Sequence, residues 1–340
     1  MRVGPPQYTL GLMAAAGEIR IGVANVEPRI LDLRELPPLS LAPVLAEETE
    51  VWRQTLDWDF HTSANLVQHF QDSHALTGSA LLVNNEAVGY TYYVCEDHKG
   101  LIGDLFVMRA HATPENEMRL LGSVVEQIAA IPAIRRVESQ LMMLHKPKLS
   151  VLPMRRWVRV FPRLFLELDL RAMKPLPVGP AARQVTIDNW TERRHDDAAM
   201  LVAAAYREHI DSEINDQYRS PGGARHFLAN IIQYPGCGSF FQPGSFLAFS
   251  SDTGRICGMC LSSLVAKDVG HVTQICVSPQ VRGKGVGYEL LRRSIEALTR
   301  AGCRLASLTV TASNAKAIQL YERVGFQVRT SFAAHVWDGF

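Results

Sequence analysis

The chain carries almost no net charge. Lys and Arg number 35 against 34 Asp and Glu, a formal charge of +1 at pH 7. A broad basic face for nucleic acid is therefore not expected, because such proteins gather cations on one side. Long apolar runs are missing too. A membrane-spanning helix needs about 20 consecutive apolar residues; no such run occurs, and no membrane partner is expected. The nearest thing to a signal-peptide core is Leu10 to Ala16 (LGLMAAA). Only Arg2 precedes it, and Pro5 and Pro6 interrupt the approach, so residues 1–27 read as a leader, disordered or packed at an edge.

Cysteine is scarce in a telling way. There are six: Cys95, Cys237, Cys257, Cys260, Cys276 and Cys303. Most lie in strand-like apolar runs, as buried free thiols do in a reducing cytoplasm. Cys257 and Cys260 form a C-x-x-C, but a zinc site wants a second pair and none is present. A redox pair sits at a helix N-terminus. Here the flanks read as strand, and three-residue spacing puts the thiols on opposite faces. No metal is expected.

What is present is ample apolar material, 47% of 340 residues, enough for two cores. Arg171 to Arg183 (RAMKPLPVGPAAR) holds Pro175, Pro177, Pro180 and Gly179 and is the best linker. It divides the chain into units at 28–177 and 178–340. In the second, strands are expected at Ser245 to Ser251, Ile256 to Ala266, His271 to Val277 and Ser307 to Thr311. Two more are expected near Phe326 to Arg329 and Ala333 to Trp337. Helices are expected at Arg193 to His209, Ala224 to Ile232, Val286 to Arg300 and Asn314 to Arg323. The first unit repeats this order more faintly: strands in SALLVNN, VGYTYYVCED and LIGDLFVMR, then a helix over Glu115 to Ile131. The repetition predicts two copies of one α/β unit.

The second copy contains VRGKGVGYELL, residues Val281 to Leu291. Glycines placed before a helix start build an anion site from free N–H groups and the positive end of the helix dipole. Arg282 and Lys284 add charge. A nucleotide P-loop needs Ser or Thr after its lysine, and a dinucleotide loop needs glycine where Tyr288 stands; both readings fail. A tight strand-to-helix turn with no ligand also satisfies the loop alone. At the matching place the first copy reads MRAHATPENE, without glycine, so repetition of the fold is expected and repetition of the binding chemistry is not.

The loop fits R-x-x-G-x-G through Arg282, Gly285 and Gly287, and SNAKAIQLYERVGF follows with Asn314, Ala317, Leu320, Tyr321, Gly325 and Phe326. Together these resemble the GCN5-related N-acetyltransferase (GNAT) family, over roughly Val185 to Phe340. The first copy resembles a degenerate member, as in tandem acyltransferases. The resemblance implies two tandem GNAT-like domains, each a mixed, mostly antiparallel twisted sheet flanked by helices, and acetyl-CoA as donor. It places the pyrophosphate on Arg282, Gly283, Lys284, Gly285, Val286 and Gly287. Ile275, Cys276 and Val277 would lie along the cofactor, with the Val277 N–H polarising the thioester carbonyl. Asn314 would touch the cofactor, and Tyr321 would protonate the leaving thiolate. The family's fourth-strand glutamate is replaced by Thr273 and Gln274, which leaves the base unassigned; His271 is the candidate. Glu208, His209, Asp211, Glu213 and Asp216, between the first two helices, would receive a cationic small-molecule or peptide amine. The expected activity is N-acetyl transfer by direct attack in a ternary complex, in the cytoplasm. The alternatives are a non-catalytic acyl-CoA-binding module or a tandem acyltransferase of the mycothiol-synthase type.

Overall fold

The computed structural model describes residues 27–145, 149–234, 236 and 238–340. Cys237 and residues 1–26, most of the leader, lie outside them. The first half runs β1 (Arg29–Asp32), α1 (Ala42–Leu56), α2 (His61–Asp72), β2 (Gly78–Val83), β3 (Glu86–Glu96), β4 (Lys99–Val107), α3 (Pro114–Ala129), β5 (Arg136–Leu141) and β6 (Val158–Asp169). The second runs β7 (Val185–Asn189), α4 (His195–Ala205), α5 (Asp211–Ile214), α6 (Pro221–Gln233), β8 (Ser239–Phe240), β9 (Phe246–Ser250), β10 (Ile256–Ala266) and β11 (Val269–Val277). It ends with α7 (Val286–Arg300), β12 (Leu305–Thr311), α8 (Ala315–Val324) and β13 (Gln327–Asp338). Among the described residues no helix is long and apolar enough to cross a membrane.

The strands form one sheet in the order β1-β2-β3-β4-β5-β13-β6-β12-β11-β10-β9-β7, with β8 beside β10. It is mostly antiparallel. The parallel pairs are β4 with β5 and β11 with β12, one in each half. Each pair is joined only at its start, through Ile102↔Ser139 and Val272↔Leu308, and then opens. Each also carries a bulge at the same place. The β3–β4 ladder skips Gly103 and the β10–β11 ladder skips Thr273. A bulge bends the strand and turns its edge, so the opening is built into both copies.

The halves have exchanged their last strands. β6, from the first half, pairs with β12, whereas β13, from the second, pairs with β5; β6 and β13 pair with each other. The burial follows the exchange. Leu166 and Leu168 of β6, with Leu170 just past its end, pack with Leu290, Leu291, Ile295 and Leu298 of α7. Trp337 of β13 is fully buried among Leu120, Leu121, Val124 and Val125 of α3. Fully burying one large apolar side chain is worth about 1.5–3 kcal/mol, so each half is held by strands from the other.

Several elements differ from expectation. The helix expected at Arg193 to His209 starts at His195 and stops at Ala205. The two last strands are one, Gln327–Asp338, with a register shift between Val328 and Thr330. The thiols of Cys257 and Cys260 do not lie on opposite faces. A register shift between Ile256 and Gly258 turns the strand, and both pack into one core.

Candidate active site

The glycine loop leaves β11 and enters α7. The Ser278 N–H donates to the Cys257 carbonyl (2.8 Å), which ends the β10 ladder. Gly283 and Gly285 then take φ of +78° and +86°. An L side chain pays roughly 1–2 kcal/mol in that region, so the turn selects glycine. Gly285 is the helix cap residue and offers no side chain to the helix amides. The N–H groups of Arg282, Lys284 and Glu289 donate to Pro279, Val281 and Gly285 carbonyls. Those of Gly283, Gly285, Val286, Gly287 and Tyr288 donate to no protein group among the described residues. This cluster of free donors at the positive end of a 15-residue helix suits an anion with several oxygens. The exposed Lys284 adds its charge. Arg282 is used differently from expectation: its guanidinium donates to the Ala205 carbonyl at the end of α4, tying loop to helix.

The first half has closed the same place. Thr113 caps α3 by accepting from Asn116 N–H (3.2 Å), and Glu115 and Glu117 fill the first turn. The Arg109 N–H, just past β4, donates to the Glu47 carboxylate (2.7 Å). An incoming phosphate there meets occupied amides and three carboxylates.

Beside the loop, β11 has a free edge. Alternation along a strand turns successive N–H and C=O groups to opposite edges. Since Ser278 points toward β10, Ile275 and Val277 point the other way, where the opening leaves no strand. The Tyr206 hydroxyl lies 3.5 Å from the Ile275 carbonyl on that side. Cys276 faces the core, and burial pushes its thiol up to about 12, so it stays protonated and is no nucleophile.

Tyr321 and Asn314 meet this opening from α8. Asn314 caps the helix through Ala317 N–H (3.3 Å), while its amide nitrogen lies 3.4 Å from His209 Nε2. Tyr321 is buried, and burial holds its phenol above the ordinary range, so it keeps its proton near neutrality. Its hydroxyl makes no hydrogen bond to protein among the described residues. Arg163, from the exchanged β6, closes the far wall. It donates to Thr311 (3.0 Å) and Thr309 (3.2 Å), and its Nε is buried without a hydrogen-bond partner among the described residues. Gln274 donates to the Tyr206 hydroxyl (3.0 Å).

His271 is elsewhere. It is 4% exposed, with its ring against Trp58 and Phe165 and its Nδ1 2.9 Å from the Ser307 hydroxyl. Burial lowers its pKa to about 3, so it is a neutral core residue and does not reach the opening. The acids are also committed. Glu213 pairs with Arg159 (2.5 Å), and Asp216 pairs with Lys99 (2.6 Å). Asp211 accepts from Thr311 (2.5 Å) and lies 3.5 Å from Arg163. Each cation comes from the first half, so these carboxylates fasten the halves instead of facing a cationic acceptor. Glu208 is exposed at φ +60° and has no such partner among the described residues. Tyr206 and Arg163 were missed as site residues. His209, expected among the acceptor residues, lies beside Asn314, and Arg163 arrives on a strand exchange that periodicity does not reveal.

A tandem α/β fold with an open fourth-strand edge and a glycine-capped anion site defines the class. The Acetyltransferase (GNAT) family matches residues 193–326, and this segment is similar to that family. An uncharacterized N-acetyltransferase of Methanocaldococcus jannaschii is 34% identical over 147 residues, 42% of this chain and 60% of that protein. A mycothiol acetyltransferase of Mycolicibacterium gilvum is 30% identical over 173 residues, 48% of this chain and 53% of that protein. The chain thus spans little more than half the length of these relatives. A GCN5-related N-acetyltransferase from Sphaerobacter thermophilus shares the fold at a TM-score of 0.62 and 18% identity, over 92% of this chain and 95% of that one. A tandem GNAT protein from the clavulanic acid biosynthesis pathway does so at 0.55 and 13%, over 92% and 99%.

Proposed function

We propose that the second half, 178–340, transfers an acetyl group from acetyl-CoA to the amine of a small molecule or peptide, by direct attack in a ternary complex. The first half, 28–177, is structural. The observation that carries this is the set of free amides of Gly283 and of Gly285 to Tyr288, beside the unpaired edge of β11. Those amides and Lys284 would hold the pyrophosphate. Acetyl-CoA supplies the activated acyl group as a thioester. The chain's own task is then positioning, which alone lowers barriers by several kcal/mol. The Val277 N–H is aimed at developing carbonyl charge. Tyr321, with a free hydroxyl, donates to the departing sulfur, and Asn314 orients the ligand. The unpaired thiols suit a reducing cytoplasm.

Calorimetry with acetyl-CoA tests the cradle. Gly285→Glu sets a carboxylate in left-handed backbone beside the anion site. A like-charge pair at about 4 Å costs roughly 1–4 kcal/mol, so the Kd should rise about 5- to 1,000-fold. An unchanged Kd removes the pyrophosphate assignment. A second reading, with mycothiol acetyltransferases among the relatives, is a tandem acyltransferase in which both halves would bind an acyl donor. A stoichiometry of one acetyl-CoA per chain supports the first reading and two supports the second.

A further inference from the structure

We propose that the first half, structural as far as transfer goes, also walls a second ligand site, between α1 and α2. Its ligand is a small carboxylate that carries an amide and an apolar side chain, as an N-acylated amino acid or a short peptide does. The site meets the start of β11, about 20 Å along that strand from Ile275, and holds whatever the β11 opening transfers.

A cavity of about 740 Å³ separates α1 from α2, within the range of small-molecule sites. Its third side is the turn from β10 into β11, with Ala266, Lys267 and Asp268. Small side chains make the space: Ala42 and Ala46, one turn apart on α1, and Ala64 on α2. The walls are held in place. The Asp59 N–H, in the connection from α1 to α2, donates to the Val265 carbonyl near the end of β10 (2.8 Å). Arg304 pairs with both Asp57 and Asp268. Both halves therefore build the cavity.

Most polar groups around it are already engaged. Glu50 pairs with Arg53 (2.5 Å), Asp59 pairs with His61 (2.7 Å), and the Thr49 hydroxyl donates to the Leu45 carbonyl (2.7 Å). Three groups are not. Among the described residues, Trp58 Nε1 and Gln68 Oε1 are buried with no hydrogen-bond partner, and the exposed Lys267 makes no ion pair. Trp58 is 8% exposed, and an indole N–H can only donate. Gln68 gives its amide hydrogens to Gln71 (2.8 Å) and Asp72 (2.7 Å), so its orphan is a carbonyl that can only accept. A buried polar group left unpaired costs free energy that a ligand recovers.

The two orphans stand toward opposite ends of the cavity. Trp58 precedes α2, and Gln68 is seven residues past its start, about 10 Å along the helix. The ligand thus brings an acceptor at one end and a donor at the other, with an apolar body between them for Leu45 and the alanines. Lys267, two residues past Val265, adds a cation at the Trp58 end, which makes the acceptor there a carboxylate. A peptide backbone rises about 3.3 Å per residue, so three residues span the distance and carry their own N–H donors. An N-acyl amino acid is the shortest molecule with the same groups.

The Trp58 indole N–H is the reporter. Its NMR cross-peak in isotope-labelled protein, assigned by its loss in Trp58→Phe, is followed as trileucine, trileucine amide, N-acetylleucine or acetyl-CoA is added. Trileucine should move the peak downfield, as the N–H gains an acceptor, with a Kd below about 1 mM. The amide lacks the carboxylate and should bind roughly 10-fold more weakly, for the loss of a charge-assisted hydrogen bond. Ala46→Phe fills the space from an exposed position and should abolish the shift at an unchanged melting temperature; this arm stands even if Trp58→Phe fails to fold. An equal response to N-acetylleucine supports the acyl amino acid as sufficient, and a response to trileucine alone supports the peptide. No shift from either up to about 10 mM, or an equal shift in Ala46→Phe, overturns the site. Equal affinity for the amide overturns the carboxylate. A shift from acetyl-CoA alone overturns the ligand class, because the cavity then belongs to the acyl donor.

Discussion

Gly287→Ala should make the protein more stable and a worse ligand binder at once. Three glycines stand in the loop, but only Gly283 and Gly285 have left-handed backbone. Gly287 lies in the first turn of α7 with ordinary helical φ. Its conformation does not require glycine. A Cβ there meets only Val277 Cγ1 at 3.8 Å and Leu320 Cδ2 at 3.9 Å, both ordinary contacts. Alanine thus fits without strain. It also narrows the unfolded ensemble, which is worth about 0.4–1 kcal/mol, and a melting temperature higher by roughly 1–3 °C should follow. The same Cβ projects between the end of β11 and α8, into the space beside the free amides. A ligand oxygen that loses its approach to one such amide forfeits a charge-assisted hydrogen bond of about 1.5–3 kcal/mol. The acetyl-CoA Kd should then rise roughly 10- to 150-fold. Differential scanning fluorimetry gives the first number and calorimetry the second. Higher stability with an unaltered Kd would show that no ligand approaches Gly287 and refute the cradle as drawn. Lower stability would refute the strain argument.

Two further outcomes concern the frame. His271 titrates near 3 when folded against 6.5 when unfolded. A histidine lowered in this way stabilises above its unfolded pKa and loses that stability as pH falls, because the unfolded chain takes up the proton first. At about 1.4 kcal/mol per unit, acidifying from pH 7 to 4.5 should cost about 3 kcal/mol through this residue. His335, lowered to about 4 by burial, adds the same sign. The buried Glu48 and Asp104 are raised and oppose it. Urea midpoints at both pH values should diverge less in His271→Leu than in wild type; an equal divergence would exclude His271 as a source. Lys99→Met strips Asp216 and Glu138 of a cation that sits 2.6 Å and 3.4 Å away, with all three side chains largely buried. Breaking such a pair costs about 3–5 kcal/mol, and Arg136, 2.5 Å from Glu138, reduces this to roughly 2–4 kcal/mol. Urea unfolding should show the loss, and a change below 0.5 kcal/mol would mean that solvent already serves these carboxylates.

Legibility followed the range of the interactions. α7 and β10 were read to the residue, since a strong apolar stripe, a glycine stop and an unbroken run of strand formers are local signals. The glycine loop was legible for the same reason: φ above zero at Gly283 and Gly285 leaves its mark in the residue type. β6 escaped notice. Its sequence, VRVFPRLFLELD, contains Pro162, which argues against a central strand. In the structure Pro162 falls just past Arg163↔Thr311, where the β12 ladder has ended. His271 misled because a histidine near the start of a fourth strand reads as exposed. What buries it is Trp58, which arrives from the other half. The acids of residues 211–216 misled likewise, since their partners Arg159, Arg163 and Lys99 are distant in sequence and adjacent only after the strand exchange.

That exchange accounts for a half that has lost its own loop. Without β6 the edge of β12 is bare, Leu166 and Leu168 leave the core beneath α7, and the opening loses Arg163, the cation beside Asp211. The sequence places a boundary near residue 178, but the sheet has no break there. A substitution that closed the first half's anion site, such as a carboxylate at 47 reaching the Arg109 amide, removed nothing the second half uses. One that weakened β6 would remove part of the wall of the proposed site. Substitutions around Met108 to Glu117 should therefore disturb the second half's site less than substitutions along Val158 to Asp169, because only the latter segment lines it.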